Sequence, residues 1–357
     1  MSSEILLSIC IPTFNRPQYL KVAVESVLAQ IDPTNSSKVE IVISDNSLSD
    51  ESQVVIEELK KRENASIKYY KNEHNVGFDG NCLLAVERAS GRYAWLLGDD
   101  DLLAPGALEV VLREIGQPAP ADLYLGEKQD FYLTPDRPMR YRRIMELPAT
   151  VFDFRDRQVT ARYFRTNKKL VAFGNYLSIV VFDREQWRLV PEKDKYVGTG
   201  YIHLFVFWSI LWGKTPRAMK YLPQPLVKRR WGNDGAPENS VYDAQSAFEA
   251  RLKQDVLMYR LIATAVFREP KYIRRIDELV LVNDGFSWAV RTKLNDRRRF
   301  YRKIFPLLWS YYRTLPLFWL KIVPLLFIPN FMLRVLRGGY RVMVKGERLD
   351  LRGMLEK

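Results

Sequence analysis

Residues 6–30 read LLSICIPTFNRPQYLKVAVESVLAQ. The first six positions form an almost unbroken apolar run, the pattern of a strand covered on both faces. A turn containing Pro12 follows, and then Pro17, placed where a helix tolerates proline best, in its first turn. Over residues 17–30, Leu20, Val24, Val27 and Leu28 recur at helical spacing. A buried strand running straight into a helix is the first half of a βαβ unit, and the pattern repeats downstream. Residues 40–44, 67–70 and 93–97 read as strands. Residues 50–64 and 81–89 read as helices, the latter ended by Gly91. This order predicts an α/β fold: a mainly parallel sheet with helices on both faces. Ligands of such sheets sit beyond the carboxyl ends of the strands.

The rest of the chain breaks the rhythm. Residues 116–160 carry Gly116 and five prolines and read as connecting strands and loops. An apolar strand over 176–182 and a helix over 202–211 are expected to complete the same domain, and residues 240–295 read as all-helical. The expected organisation is an α/β domain over 1–235, a helical extension over 236–295 and a tail over 296–357.

Length and a hydrophobic content of 47% give enough material for a substantial core and argue against disorder. Cys10 and Cys82 both lie in apolar stretches and read as small buried hydrophobes, with neither disulfide nor metal spacing. The first fifteen residues lack a basic leader and a small-residue cleavage site, so a cytoplasmic protein is expected. The net charge of +13 is uneven: residues 291–357 hold 16 Lys and Arg against 4 Asp and Glu. The body is near neutral, and the tail points to an anionic partner surface.

Four groups of polar residues fall at the ends of the first four strands. They are Pro12–Pro17, Asp45–Ser47, Asn72–Asn75 with Gly77, and Gly98–Asp101. The first two are equally readable as a helix entry and a turn. Three consecutive carboxylates after a buried strand resist a purely structural reading, because clustered like charges raise one another's pKa unless a cation sits among them. A hard divalent ion, with phosphate completing an oxygen shell, would relieve that repulsion.

At these residues the chain resembles the family 2 glycosyltransferases of GT-A fold. The resemblance rests on LSICIPTFNRPQYLKVAVESVLAQ, SDNSLSDES and NEHNVGFDGNCLLAVERASGRYAWLLGDDDLLAPGAL, in order and at matching separation over residues 5–112. Within that family it is similar to bacterial enzymes that add sugars to lipid-linked surface polysaccharides, the abequosyltransferase-like and rhamnosyltransferase-like members. The resemblance implies a nucleotide-sugar donor, with Pro12, Thr13 and Asn15 lining the nucleotide pocket and Asp45 bonding the base or ribose. It places Asp79 and Asn81 near the donor, Asp99 at the ribose, and Mn2+ or Mg2+ on Asp100 and Asp101. Gly98 stands where many members have an aspartate, which leaves open how the three acids divide the work.

Transfer with inversion needs a base to take the acceptor hydroxyl's proton. Family members carry an acid at a helix start some ninety residues past the metal motif. Here that stretch reads KYVGTGYIH, residues 195–203, without the carboxylate pair, leaving Asp194 and His203 as candidates and His203 also as a possible metal ligand. Arg230, in the basic aromatic stretch 229–235, reads either as part of a mobile cover over the diphosphate or acceptor or as ordinary surface.

Residues 304–336 are rich in aromatics but interrupted by Arg313, Lys321 and four prolines, so no apolar run reaches the ~20 residues of a spanning helix. Short helices lying in the membrane interface are expected, with a buried helical subdomain as the other reading. Together these features predict a peripheral enzyme on the cytoplasmic face of the inner membrane, acting on a lipid-linked glycan acceptor. A noncatalytic nucleotide-sugar-binding partner of a glycan assembly complex is the competing reading. No nucleic-acid-binding signature, GxGxxG or P-loop is present, so nucleic-acid, nicotinamide and P-loop functions are disfavoured.

Overall fold

A computed structural model describes residues 5–61, 66–139, 141–231 and 246–336. The chain divides into two compact units, Met1–Asn239 and Ser240–Lys357. The expected break at residue 295 falls inside the second.

The first unit opens with β1 (Leu7–Thr13), α1 (Pro17–Leu28), β2 (Val39–Asp45), α2 (Glu51–Lys60), β3 (Ser66–Lys71), α3 (Gly77–Glu87) and β4 (Tyr93–Leu96). Every residue of β1, β2 and β4 is buried, as strands between two helical layers must be. The four pair in parallel in the order β3-β2-β1-β4, with Thr13 registered on Asp45 and Asp45 on Lys71. The carboxyl ends of β1, β2 and β3 therefore finish level, and β4, whose Leu96 is registered on Cys10, ends at the same rim.

Beyond β4 the sheet changes character. It continues β8-β6-β9-β5, built from β5 (Leu102–Leu103), β6 (Leu123–Tyr132), β8 (Val180–Asp183) and β9 (Ala218–Trp231), while β7 (Thr150–Asp153) also pairs with β9. β8 runs antiparallel to both β4 and β6, so the sheet is mixed beyond the first four strands, although β6 and β9 again pair in parallel. The strand expected over 176–182 starts later. Leu177–Ile179 is a 3₁₀ turn that brings Tyr176 and Ser178 to the rim before β8 begins.

A register shift in β6 lies between Leu125 and Lys128. Gly126 at this bulge has no room for a side chain, because a Cβ there would lie 2.3 Å from the Leu226 side chain. Past the bulge, Lys128 and Asp130 share one face, and Asp130 sits opposite Arg229 of β9.

Helix α4 (Ala107–Ile115) buries one stripe, α5 (Arg157–Thr166) and α6 (Arg184–Leu189) follow β7 and β8, and α7 (Ile202–Trp212) is buried all round except at Ser209. A helix this apolar is core rather than surface.

The second unit comprises α8 (Ser246–Val266), α9 (Pro270–Val280), α10 (Phe286–Asn295) and a run of short helical turns ending at residue 336. Pro306, Pro316 and Pro324 each open a new turn, dividing the tail as expected from proline's missing N–H. The tail also has a packed face. Phe300, Leu308, Tyr312, Phe318, Ile322 and Leu325 are buried, and the Lys293 ammonium donates to the carbonyls of Leu325 and Ile328. No helix among the described residues is long and apolar enough to cross a membrane. Residues 232–235, and Arg337 and Arg341 of the tail, lie outside the described residues.

Candidate active site

The level strand ends carry the polar groups. Thr13 ends β1, and its Oγ1 donates to Asp99 Oδ2 at 2.9 Å. Asn15 follows in the left-handed region, φ 52°, where asparagine is better tolerated than most residues. Its backbone N–H donates to Ser47 Oγ at 2.7 Å, joining the loops after β1 and β2. Arg16, which precedes α1, reaches across to the loop after β4. Its Nη1 is 3.1 Å from Asp99 Oδ1 and 3.5 Å from Asp100 Oδ2.

Burial pushes Asp99 up to about 6, opposed by the Arg16 guanidinium and reinforced by Asp100. Burial and Asp100 push Asp101 up to about 7, against hydrogen bonds from Ser178 and Tyr176. Asp101 Oδ2 accepts from both hydroxyls, while its Oδ1 is buried without a hydrogen-bond partner. This is the response expected of crowded acids short of positive charge. Gly98 leaves the space between them open, because a Cβ there would come within 3.3 Å of both Asp100 Oδ1 and Asp101 Oδ2.

An all-oxygen donor set already sharing one cation suits a hard divalent ion. Among the described residues no three His, Cys, Asp or Glu side chains converge as a ready cage, so an ion held here would need phosphate oxygens to complete its shell. The arrangement differs from the expected Asp100–Asp101 pair. Asp99 and Asp100 share the Arg16 cation, whereas Asp101 turns to Tyr176 and Ser178.

Several expected donor contacts stand behind the rim. Asp45 is fully buried, accepting from Tyr69 Oη and the Ser47 N–H, each at 2.7 Å. Asn81 spends its amide within the protein, donating to the Thr13 carbonyl and accepting from Asn72 Nδ2. Asn72 also donates to Asn46 Oδ1 at 2.7 Å, so an amide network ties the loops after β1, β2 and β3 together. Asp79 caps α7, accepting from the backbone N–H groups of Gly200 at 2.8 Å and Ile202 at 3.2 Å. These N–H groups have no partner within a helix, which gives the buried carboxylate its partners. Pro12 is buried within β1.

Asn15, Asp100 and Arg230 remain accessible. Arg230 Nε donates to the Asp100 carbonyl at 3.2 Å, and its guanidinium lies over the rings of Tyr19 and Phe131. It is thus fixed beside the carboxylates rather than carried on a separate cover.

His203 is buried, with its ring edge-on to Phe78 and Phe207. Nε2 donates to the Asn175 carbonyl at 3.2 Å, which leaves Nδ1 as a buried acceptor with no hydrogen-bond partner. Burial lowers its pKa, so the imidazole is neutral at physiological pH. Neither nitrogen is open to an acceptor, and His203 is not a metal ligand in this arrangement. Asp194 is exposed on the 3₁₀ turn Lys193–Tyr196 that leads into α7.

Sequence reasoning missed the roles of Arg16, Tyr176 and Ser178. Arg16 lies inside a quoted motif, but only the fold shows which acids it reaches. Tyr176 and Ser178 fall within the strand expected over 176–182.

Known proteins agree with this geometry. The family model "Glycosyl transferase family 2" matches residues 8–177. The abequosyltransferase RfbV of Salmonella typhimurium is 28% identical over 308 residues, 81% of this chain and 83% of that protein. A GalNAc(5)-diNAcBac-PP-undecaprenol beta-1,3-glucosyltransferase of Campylobacter jejuni is 34% identical over 112 residues, 31% of this chain and 35% of its own. Among solved structures, S. aureus TarS 1–349 in complex with UDP-GlcNAc superposes with a TM-score of 0.55 at 14% identity, covering 87% of this chain and 82% of that one. The mannosyltransferase PcManGT of Pyrobaculum calidifontis, solved with GDP-Man and Mn2+, gives 0.52 at 13% identity, covering 96% and 88%. With this fold, this rim and these relatives, the chain is a nucleotide-sugar-dependent glycosyltransferase of GT-A fold, whose residues 8–177 match the family 2 model.

Proposed function

We propose that this enzyme transfers a sugar from a nucleotide-sugar donor to a lipid-linked glycan in bacterial surface-polysaccharide assembly, with Mn2+ or Mg2+ at Asp99 and Asp100. The observation that carries the metal reading is the Arg16 guanidinium set between those two carboxylates. A bound divalent ion would offset the charge growing on the departing nucleoside diphosphate. Asn15 and Arg230 are the accessible side chains suited to hold the donor beside it, with Thr13, Asp45, Asp79 and Asn81 fixing the loops from behind. The acceptor oxygen forms a bond to the anomeric carbon as the bond to the diphosphate oxygen breaks, and the hydroxyl proton passes to a base. Asp194, open to solvent before α7, is favoured over the buried His203 for that base.

The lipid-linked acceptor rests on the relatives' printed activities, one of which names a PP-undecaprenol glycan, and on the basic aromatic tail. Attachment to the cytoplasmic face of the inner membrane follows the same reasoning. A thermal-shift panel of UDP-, GDP-, dTDP- and CDP-sugars, each with Mn2+ or with EDTA, tests the donor and metal reading. Stabilisation by one nucleotide class only when Mn2+ is present is the expected result. No stabilisation by any of them contradicts it.

A further inference from the structure

Next to the carboxylates lies a second feature that the donor reading leaves unused. A cavity of about 240 Å³ opens between β6 and the segment that follows it, lined by Lys128, Asp130, Tyr141, Arg142, Arg143 and Lys169. Four cations face one carboxylate there, and that carboxylate is already taken. Asp130 accepts from Arg229 Nε and Nη2, at 2.9 and 2.7 Å, and from Lys128 at 2.7 Å. Burial lowers the Lys128 pKa, and Arg229 lowers it further, as a surplus of positive charge would.

The wall is held in place from the sheet. Glu127, aimed inward by the Gly126 bulge, accepts from the backbone N–H groups of Ile144 at 2.7 Å and Met145 at 3.3 Å, and from the Tyr221 hydroxyl. These bonds fix the backbone that carries Arg142 and Arg143 at the mouth. The Lys169 ammonium donates to the Arg143 carbonyl. A surface loop with scattered basic residues has no need of a buried glutamate to anchor it.

The cavity is one aromatic ring from the reaction centre. Tyr176 donates to Asp101 Oδ2, and the Lys128 ammonium lies 5.9 Å and the Arg229 guanidinium 5.4 Å from the Tyr176 ring. Thr13 and Arg16, which mark the proposed donor nucleotide, meet Asp99 rather than Asp101. We propose that this cavity binds a phosphate or diphosphate group of the acceptor, close to the sugar that receives the transferred residue. Paired guanidiniums match the oxygens of such an anion bidentately, and an ammonium adds a point charge. The inference rests on the glycosyltransferase reading, because it assigns the acceptor side of that site.

The test uses the full-length protein, with Arg142→Ala/Arg143→Ala and Lys128→Met as pocket variants. Arg162→Ala/Arg165→Ala, on α5, serves as a charge-matched control. Calorimetry measures binding of inorganic pyrophosphate and of a short-chain prenyl diphosphate, with the donor site saturated by the best nucleotide of the panel and Mn2+. A loss of roughly tenfold or more in affinity for both probes is expected in Arg142→Ala/Arg143→Ala, with nucleotide affinity unchanged. A tighter prenyl probe assigns the group to a lipid-linked acceptor, and equal affinities assign it to a phosphate carried on the glycan or free. Unchanged affinity overturns the proposal, as does an equal loss in the control. A parallel loss of nucleotide affinity also overturns it, by giving the cavity to the donor. Failure of the glycosyltransferase reading looks different: the unmodified protein binds no nucleotide, while the diphosphate probes still distinguish the variants.

Discussion

The Arg16 guanidinium lies 3.1 Å from the Asp99 carboxylate, across the gap between the loops that follow β1 and β4. Its reach to Asp100 makes it a cation shared by two acids. Asp99 and Asp100 would hold a divalent ion bound together with a diphosphate, in competition with Arg16 for the same oxygens. Asp100→Ala is therefore expected to remove the Mn2+-dependent part of nucleotide-sugar stabilisation while leaving the melting temperature of the free protein within a few degrees of the parent. Full transfer activity in excess EDTA, or an unchanged Mn2+-dependent shift in Asp100→Ala, contradicts the metal assignment.

Asp79 gives a contrasting case, an acid held by backbone N–H groups at a helix start. It accepts from the Gly200 and Ile202 N–H groups at the start of α7, so Asp79→Ala leaves buried donors unpaired. The expected cost is about 1–3 kcal/mol of stability in urea unfolding. Any loss of nucleotide affinity should follow only from that destabilisation. A stable Asp79→Ala protein with weakened donor binding would restore the direct contact that the family resemblance implies.

The parallel half of the fold and the rim it creates are legible in the sequence because β1, β2 and β4 are buried on both faces. Near-continuous apolar runs broken by Pro12–Pro17, Asp45–Ser47 and Gly98–Asp101 encode both facts at once. The mixed half is not legible to the same degree. β6 and β9 carry polar residues beyond Gly126, and the partner that satisfies Asp130 is Arg229, ninety-nine positions later. The division among site residues is hidden for a related reason. Asp79, Asn81 and Asp45 carry the same side-chain types whether they touch a ligand or hold a loop, and only the hydrogen-bond partners separate the two. For His203, its place in the stretch where the family carries its acid suggests chemistry, and the rings of Phe78 and Phe207 around it explain its burial instead.

The buried imidazole and the exposed carboxylate before α7 separate in a mutational test. His203→Ala removes a ring from a packed site and is expected to lower stability by about 2–4 kcal/mol, with turnover reduced in proportion to the folded fraction. Asp194→Asn is expected to leave stability unchanged and to lower the rate at saturating donor by on the order of a hundredfold or more. If folded His203→Ala has lost its turnover and Asp194→Asn has not, the base is His203, reached only after the loop over residues 197–201 moves.

In the second unit, Asp277 of α9 supplies a pH dependence separate from the active site. Burial raises its pKa to about 6, opposed by Arg260 at 3.8 Å and reinforced by Glu278. The folded chain holds this proton more tightly than the unfolded chain. The resulting stabilisation is full below about pH 4 and is lost as pH rises through 6. Asp277→Asn cannot lose it, so the variant should gain on the parent between pH 4.5 and 7.5, by on the order of 1 kcal/mol. Parallel stability curves for the two proteins across that range would show that Asp277 ionises normally.

The tail's two faces make the last prediction. One face is packed, with Leu308, Phe318, Ile322 and Leu325 buried, so the tail belongs to its helical unit rather than hanging free. The other face leaves Trp319, Leu320, Phe327 and Phe331 at least half exposed, with Leu320 at 70% and Phe327 at 79%. Exposed basic residues share this stretch: Arg302, Lys303, Arg313 and Lys321. Large apolar side chains left open to water beside cations suit shallow insertion among anionic headgroups, at roughly 1 kcal/mol per basic residue near the surface. Because Pro306, Pro316 and Pro324 restart the helix within each turn or two, the segment can lie along a surface but cannot span one. The full-length protein is therefore expected to float with anionic liposomes, to be released by high salt, and to float weakly with neutral ones. Trp319→Ser/Phe327→Ser/Phe331→Ser, which spares the packed face, should reduce flotation several-fold without weakening nucleotide binding. Flotation with neutral lipid that resists both salt and alkaline pH would mean integral insertion, and no flotation with either lipid would leave the exposed aromatics to a protein partner.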